Sequence, residues 1–184
     1  MFRYIIPFIL AGGKSLRMGL SKSFLYVNGI FFIEHILYLF FDMGFLFIYI
    51  SGGFFKYSIV DDINYSTGPI SSFYSIILNN KILYFFHIFL IPVDMPFLEK
   101  NNFLYLILLS KKNVSYCSSI FLFPILLSLS YNLFFCLYFF SINNIKKGVF
   151  FLLKIIFVKK VLNNIFCYNN FSNINIFMDL FLKK

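Results

Sequence analysis

Gly12 and Gly13 interrupt an apolar run and are followed by Lys14, Ser15 and Arg17, with Lys22 a few residues further on. Glycines at the end of a buried strand let backbone N–H groups approach a ligand closely, and basic side chains beside them neutralise phosphate charge. The string is neither the GxGxxG dinucleotide pattern nor the GxxxxGKS/T phosphate loop. It predicts nucleotide binding by a loop of a different kind.

Acidic residues are scarce, only 7 in the chain, so their positions carry information. Asp94 stands in Pro92-Val93-Asp94-Met95-Pro96, directly after a strongly apolar run. A lone carboxylate there is costly to bury unpaired, and a divalent cation would compensate it. The end of such a strand is also where ligands bind in open α/β sheets. Asp61 and Asp62 precede a polar loop that ends at Gly68-Pro69, and a solvated acidic turn is an alternative reading of the pair. Asn173 and Asn175 offer amides that both donate and accept hydrogen bonds, although chance is a rival in so asparagine-rich a chain. His35 and His87 lie in apolar segments with no second ligand at metal spacing, which predicts core histidines.

Leu10-Ala11-Gly12-Gly13-Lys14-Ser15-Leu16-Arg17-Met18-Gly19, followed by Lys22, resembles the nucleotide-binding signature of the molybdenum cofactor guanylyltransferases. The resemblance implies that Leu10, Ala11 and Gly12 contact a guanine nucleotide and that Lys22 contacts its phosphates; Arg17 is a further basic side chain that could neutralise charge there. Gly13 is implied to favour guanine, because the related cytidylyltransferases tend to carry alanine in this turn. It further implies an aspartate that binds the nucleotide before the Gly68-Pro69 turn. Spacing leaves Asp61 and Asp62 both open, with Asp62 preferred, and a carboxylate can accept from guanine N1–H and the 2-amino group. Ser51 matches a position that often presents a polar group to the nucleotide, Asp94 matches the Mg²⁺ ligand, and Asn173 and Asn175 match an Asn-x-Asn segment near the active site. Three departures stand out: Ser21 where an aspartate usually precedes the lysine, Val93 for a small polar residue, and Ile70-Ser71-Ser72 for Leu-Ala-Gly. With Ser21, the ion pair local to the loop is absent.

The activity so implied is transfer of GMP from GTP to molybdenum-molybdopterin, with Mg²⁺ as cofactor. The expected partners are GTP, molybdenum-molybdopterin, and proteins of molybdenum insertion and molybdoenzyme maturation. A monomer in the cytoplasm, with no nucleic acid or membrane partner, completes the expectation. The alternatives are another nucleotidyltransferase of the same fold, cytidylyl or sugar-phosphate, or a decayed non-catalytic or membrane-associated relative.

These residues need elements to hold them. Near-continuous apolar runs of strand length alternate with longer segments, the pattern of a parallel sheet buried on both faces. Tyr4–Leu10 predicts a first strand, against which Pro7 is a local conflict because proline cannot donate to a central ladder. A helix is expected over Phe31–Met43 with Gly44 as its terminator, then a strand over Phe45–Ile50. A short strand at Ser58–Val60, a helix at Ile70–Leu78 and a strand at Tyr84–Ile91 follow. Helices are expected at Asn101–Leu109 and Pro124–Phe139. The resulting fold class is α/β, a three-layer Rossmann-like nucleotidyltransferase fold with a mostly parallel central sheet. Its 184 residues make one domain, with a nucleotide-binding half over about 1–98 and an acceptor-binding half over about 99–184.

Composition sets the remaining bounds. Hydrophobic residues make up 60% of the chain, with 30 Phe and 13 Tyr, a content that raises a membrane-spanning alternative. The strongest window, 121–140, reaches the required length of about 20 residues but contains Pro124, Ser128, Ser130 and Asn132. Drift toward Phe, Ile, Asn and Lys in an AT-rich genome accounts for the same composition in a soluble domain. No secretory signal is expected, since the first apolar run leads into the glycine turn. Three scattered cysteines without a CxxC pair predict buried thiols. The net charge of +9 suits a polyanionic ligand, and no basic stripe interleaved with aromatics points to nucleic acid.

Overall fold

The apolar run at the start of the chain forms strand β1, Ile5–Leu10, with all but the last residue buried. In the computed structural model, residues 4–11, 22–51, 87–110, 114–118, 123–130, 133 and 159–161 are described. Within them the chain continues through a 3-10 turn at Lys22–Phe24, a hairpin of β2 (Tyr26–Val27) and β3 (Ile30–Phe31), helix α1 (Phe32–Asp42) and β4 (Tyr49–Ser51). Then come β5 (His87–Pro92), helix α2 (Lys100–Leu108), β6 (Tyr116–Ser118), β7 (Ile125–Ser128) and β8 (Lys159–Val161).

Six of the strands join in the order β4-β1-β5-β7-β6-β8. β1 lies parallel to β4 and to β5, and β6 parallel to β8, while β7 runs antiparallel to both its neighbours. This is a mixed, mostly parallel sheet with helices, the α/β architecture expected. The two-residue Asn28-Gly29 loop of the β2–β3 hairpin has φ of 52° and 81°, as a type I′ turn requires.

Pro7 fits because of where its missing donor points. The carbonyls of Tyr4 and Leu10 accept bonds from His87 and Val93 beside β5, whereas Ala11 N–H donates to Ser51 beside β4. Even-numbered residues of β1 thus turn their backbone groups to β5 and odd ones to β4. Pairing with β4 begins only at Phe8, so Pro7 removes no ladder bond.

Helix α1 buries Phe32, Ile33, Ile36 and Phe40 along one face. At its start Glu34 accepts a hydrogen bond from the Phe31 N–H, 3.2 Å. Its end is the one expected. Gly44 has φ +85°, its N–H donates to Phe41, and the Phe45 N–H donates to Phe40. This double bond pattern is a Schellman motif, and the Phe40 and Phe45 rings meet edge-on at 5.5 Å as its apolar contact.

Three rings lock the layers. Phe89 of β5 meets Phe40 of α1 at 6.2 Å and Phe103 of α2 at 5.4 Å, and Phe40 meets Phe103 at 5.3 Å. All three are fully buried, each burial contributing about 1.5–3 kcal/mol. The alternate residues Ile6, Phe8, Ile88 and Leu90 are buried too, so both faces of the central strands are covered.

Some expectations move. The second strand begins at Tyr49 rather than Phe45, and Leu46 and Phe47 are exposed. The start of the helix expected over Pro124–Phe139 is instead strand β7, Ile125–Ser128, paired antiparallel to β5 over His87–Leu90. Beyond Ser130, only Leu133 of that segment is among the described residues, and it is helical, with its N–H bonded to Ser130 Oγ at 3.3 Å in the manner of an N-cap. An all-apolar run carries no period to separate the two states, and pairing with the central strand decides. Among the described residues no helix is long and apolar enough to cross a membrane, and the 121–140 window contains β7. The segments expected at Ser58–Val60 and Ile70–Leu78 lie outside the described residues.

Candidate active site

The carboxyl ends of β4, β1 and β5 are stitched side by side just beyond the sheet. Ala11 N–H donates to Ser51 O at 2.8 Å, and Val93 N–H donates to Leu10 O at 3.0 Å. The two bonds bring Leu10, Ala11, Ser51 and the turn at Val93-Asp94 to one edge of the sheet. β1 and β5 end there because the chain breaks to glycine after Ala11 and to Pro92 in β5.

Lys22 arrives from the other side of the glycine-rich loop. It opens the 3-10 turn, whose Leu25 N–H donates back to Lys22 O at 3.2 Å. Ser23, fully buried, directs its hydroxyl at Ala11 O at 3.4 Å, so the turn rests against the end of β1. From there the Lys22 ammonium donates to Asp94 Oδ2 at 2.6 Å, across 72 residues of sequence. The pair is largely shielded, with side chains 23% and 11% exposed, which strengthens its attraction relative to a surface pair.

The turn that carries Asp94 is held from behind. His35 Nε2 lies 3.2 Å from Leu98 O, joining α1 to the segment just past Asp94. Asn102 Oδ1 accepts from Glu99 N–H at 2.7 Å and closes the start of α2, while the Lys100 ammonium reaches Asp42 Oδ2 at 2.8 Å. His35 and His87 are thus a half-buried and a buried histidine of the framework, as expected.

Two buried oxygens lack a hydrogen-bond partner among the described residues: Asp94 Oδ1 and Ser51 Oγ. An unpaired buried carboxylate oxygen is expensive, and a hard cation satisfies it better than any neutral donor. The donor chemistry of Asp94 therefore fits Mg²⁺. Among the described residues no three His, Cys, Asp or Glu side chains cluster. A cation here would complete its shell with substrate phosphates and water, as Mg²⁺ commonly does.

Of the residues singled out from sequence, Leu10, Ala11, Lys22, Ser51 and Asp94 converge at this edge. Gly12, Gly13, Arg17, Asp62, Gly68, Pro69, Asn173 and Asn175 lie outside the described residues. Sequence reasoning missed Ser23 and the Lys22–Asp94 pairing. A small polar residue next to the lysine was the only signal for the first, and no local signal exists for the second.

The comparisons bear on family and fold. The family model of the MobA-like NTP transferase domain matches residues 7–120. No curated protein matches the chain in sequence. Among solved structures it is similar to molybdopterin-guanine dinucleotide biosynthesis protein A from Archaeoglobus fulgidus, at 16% identity over 97% of this chain and 96% of that one, with a TM-score of 0.67. It is equally similar to 4-diphosphocytidyl-2C-methyl-D-erythritol synthase from Anaerococcus prevotii, at 14% identity over 98% and 94%, with a TM-score of 0.68. A third, 2-C-methyl-D-erythritol 4-phosphate cytidylyltransferase from Thermus thermophilus, shares 11% identity over 96% and 95%, with a TM-score of 0.61. At such identities the structures speak for the fold. The family model spans most of the chain, so the protein belongs to the MobA-like NTP transferase domain family, and its fold is a nucleotidyltransferase fold.

Proposed function

We propose that the protein transfers GMP from GTP to molybdenum-molybdopterin, forming the molybdopterin guanine dinucleotide cofactor and diphosphate. An oxygen of the acceptor's terminal phosphate attacks the α-phosphorus of GTP. The bond from that phosphorus to the bridging oxygen breaks, and diphosphate leaves with the electron pair. The nucleophile is already anionic at neutral pH, so the protein's work is alignment and charge neutralisation.

The observation that carries this reading is the meeting of Lys22 and Asp94 at 2.6 Å, beside the strand end that opens the glycine-rich loop. Lys22 would contact the phosphates, with Arg17 as a second basic side chain from the glycine-rich loop. Asp94 would hold Mg²⁺ through the buried Oδ1, where the cation supplies positive charge to the triphosphate as its bond breaks. Leu10, Ala11 and the glycines offer backbone groups to the nucleotide, Ser51 its buried hydroxyl, and Asp62 its carboxylate to the base.

Calorimetric titration of GTP in Mg²⁺ tests the assignment. Wild type should bind, and Asp94→Asn should lose both Mg²⁺-dependent binding and turnover. Undiminished turnover of that variant would sink the cation role. A second reading, cytidylyl transfer, draws on the cytidylyltransferase structures, which resemble the chain as closely as the guanylyl one. Competition among the four nucleotides with molybdopterin as acceptor separates the two.

A further inference from the structure

Asp94 shows two different oxygens. Oδ2 accepts from the Lys22 ammonium at 2.6 Å, while Oδ1 is buried with no partner among the described residues. Both belong to one carboxylate, so a cation at Oδ1 sits within a few ångströms of a positive ammonium. The side chains are only 23% and 11% exposed, and solvent and salt screen that repulsion poorly. Among the described residues no three His, Cys, Asp or Glu side chains cluster to hold a cation without the nucleotide. A triphosphate changes the balance. Its oxygens accept from the ammonium and ligate a divalent cation at the same time.

We infer that the Lys22–Asp94 ion pair couples cation binding to nucleotide binding: Lys22 holds down the affinity of Asp94 for a bare divalent cation, and a triphosphate that takes over Lys22 frees Asp94 for the cation. The inference rests on the reading of Asp94 as cation ligand and Lys22 as phosphate ligand given above. Coupling between two ligands is reciprocal, so the cation raises nucleotide affinity by the same factor. Between turnovers the pair neutralises itself, and the site is charged for reaction only when nucleotide and cation arrive together.

Mn²⁺ alone is the probe, with the free ion counted by electron paramagnetic resonance in the full chain without nucleotide. Wild type should bind Mn²⁺ weakly. Lys22→Met should bind it about tenfold or more tightly, within the usual span of coupling factors. Lys22→Gln keeps a donor for Oδ2 without the charge and should show the same gain. It carries the test if the Met variant does not fold, which circular dichroism reports. Adding Asp94→Asn to either variant should abolish the gain. Equal Mn²⁺ affinity in wild type and Lys22 variants, or no measurable binding in any of them, overturns the coupling. If the Lys22 variants gain affinity that Asp94→Asn leaves untouched, the cation lies elsewhere, and the reading of Asp94 falls with the coupling.

Discussion

Asp94 and Lys22 were legible as single residues for different reasons. Asp94 stands out because a carboxylate directly after a buried strand has few bland explanations in a chain with 7 acids. Lys22 stands out only through its distance from the glycine turn and the resemblance built on it. What neither position reveals is that the two touch, since an ion pair spanning 72 residues leaves no local trace. The pairing makes a definite expectation for nucleotide handling. Replacing Lys22 with alanine should lower kcat/KM for GTP by about 10²-fold or more, the cost of removing one preorganised donor from a site of developing charge. Steady-state kinetics at saturating Mg²⁺ check it, and an unchanged kcat/KM would count against a phosphate contact.

Among the elements, helix α1 was the most legible, because Gly44 punctuates it and its apolar residues keep a helical period. Its Schellman end does two jobs: it satisfies terminal carbonyls and turns the chain so that Phe45 packs back on Phe40. Gly44→Ala should destabilise the fold by about 1 kcal/mol, read as a lower urea midpoint at unchanged slope. A Cβ at Gly44 would meet nothing within 4 Å, so the cost is the left-handed backbone rather than a clash. β7 was illegible for the opposite reason. Ile125–Ser128 has no period to read, and its state is set by pairing with β5 rather than by its own residues. The hairpin at Asn28-Gly29 carried a clear turn signal that an eye fixed on longer elements passes over.

At the scale of the molecule, the hydrophobic excess of the described residues goes into ring-on-ring packing between sheet and helices, and none of their helices is long and apolar enough to cross a membrane. Phe89 joins β5 to both α1 and α2, so Phe89→Ala should cost about 3–5 kcal/mol. Against a usual total of about 5–15 kcal/mol, that is enough to unfold much of the protein at modest urea, measurable by circular dichroism. A loss below about 1 kcal/mol would show that the three-ring contact does not anchor the layers. By itself, the amino-acid sequence determined the α/β class, the ends of β1 and α1 and the place of Asp94 after a buried strand, because each depends on residues close together in the chain. Tertiary structure alone decided the antiparallel β7, the harmless placement of Pro7 and the pairing of Lys22 with Asp94. Those outcomes depend on which strand lies beside which, and an almost uniformly apolar sequence holds too little local contrast to say so.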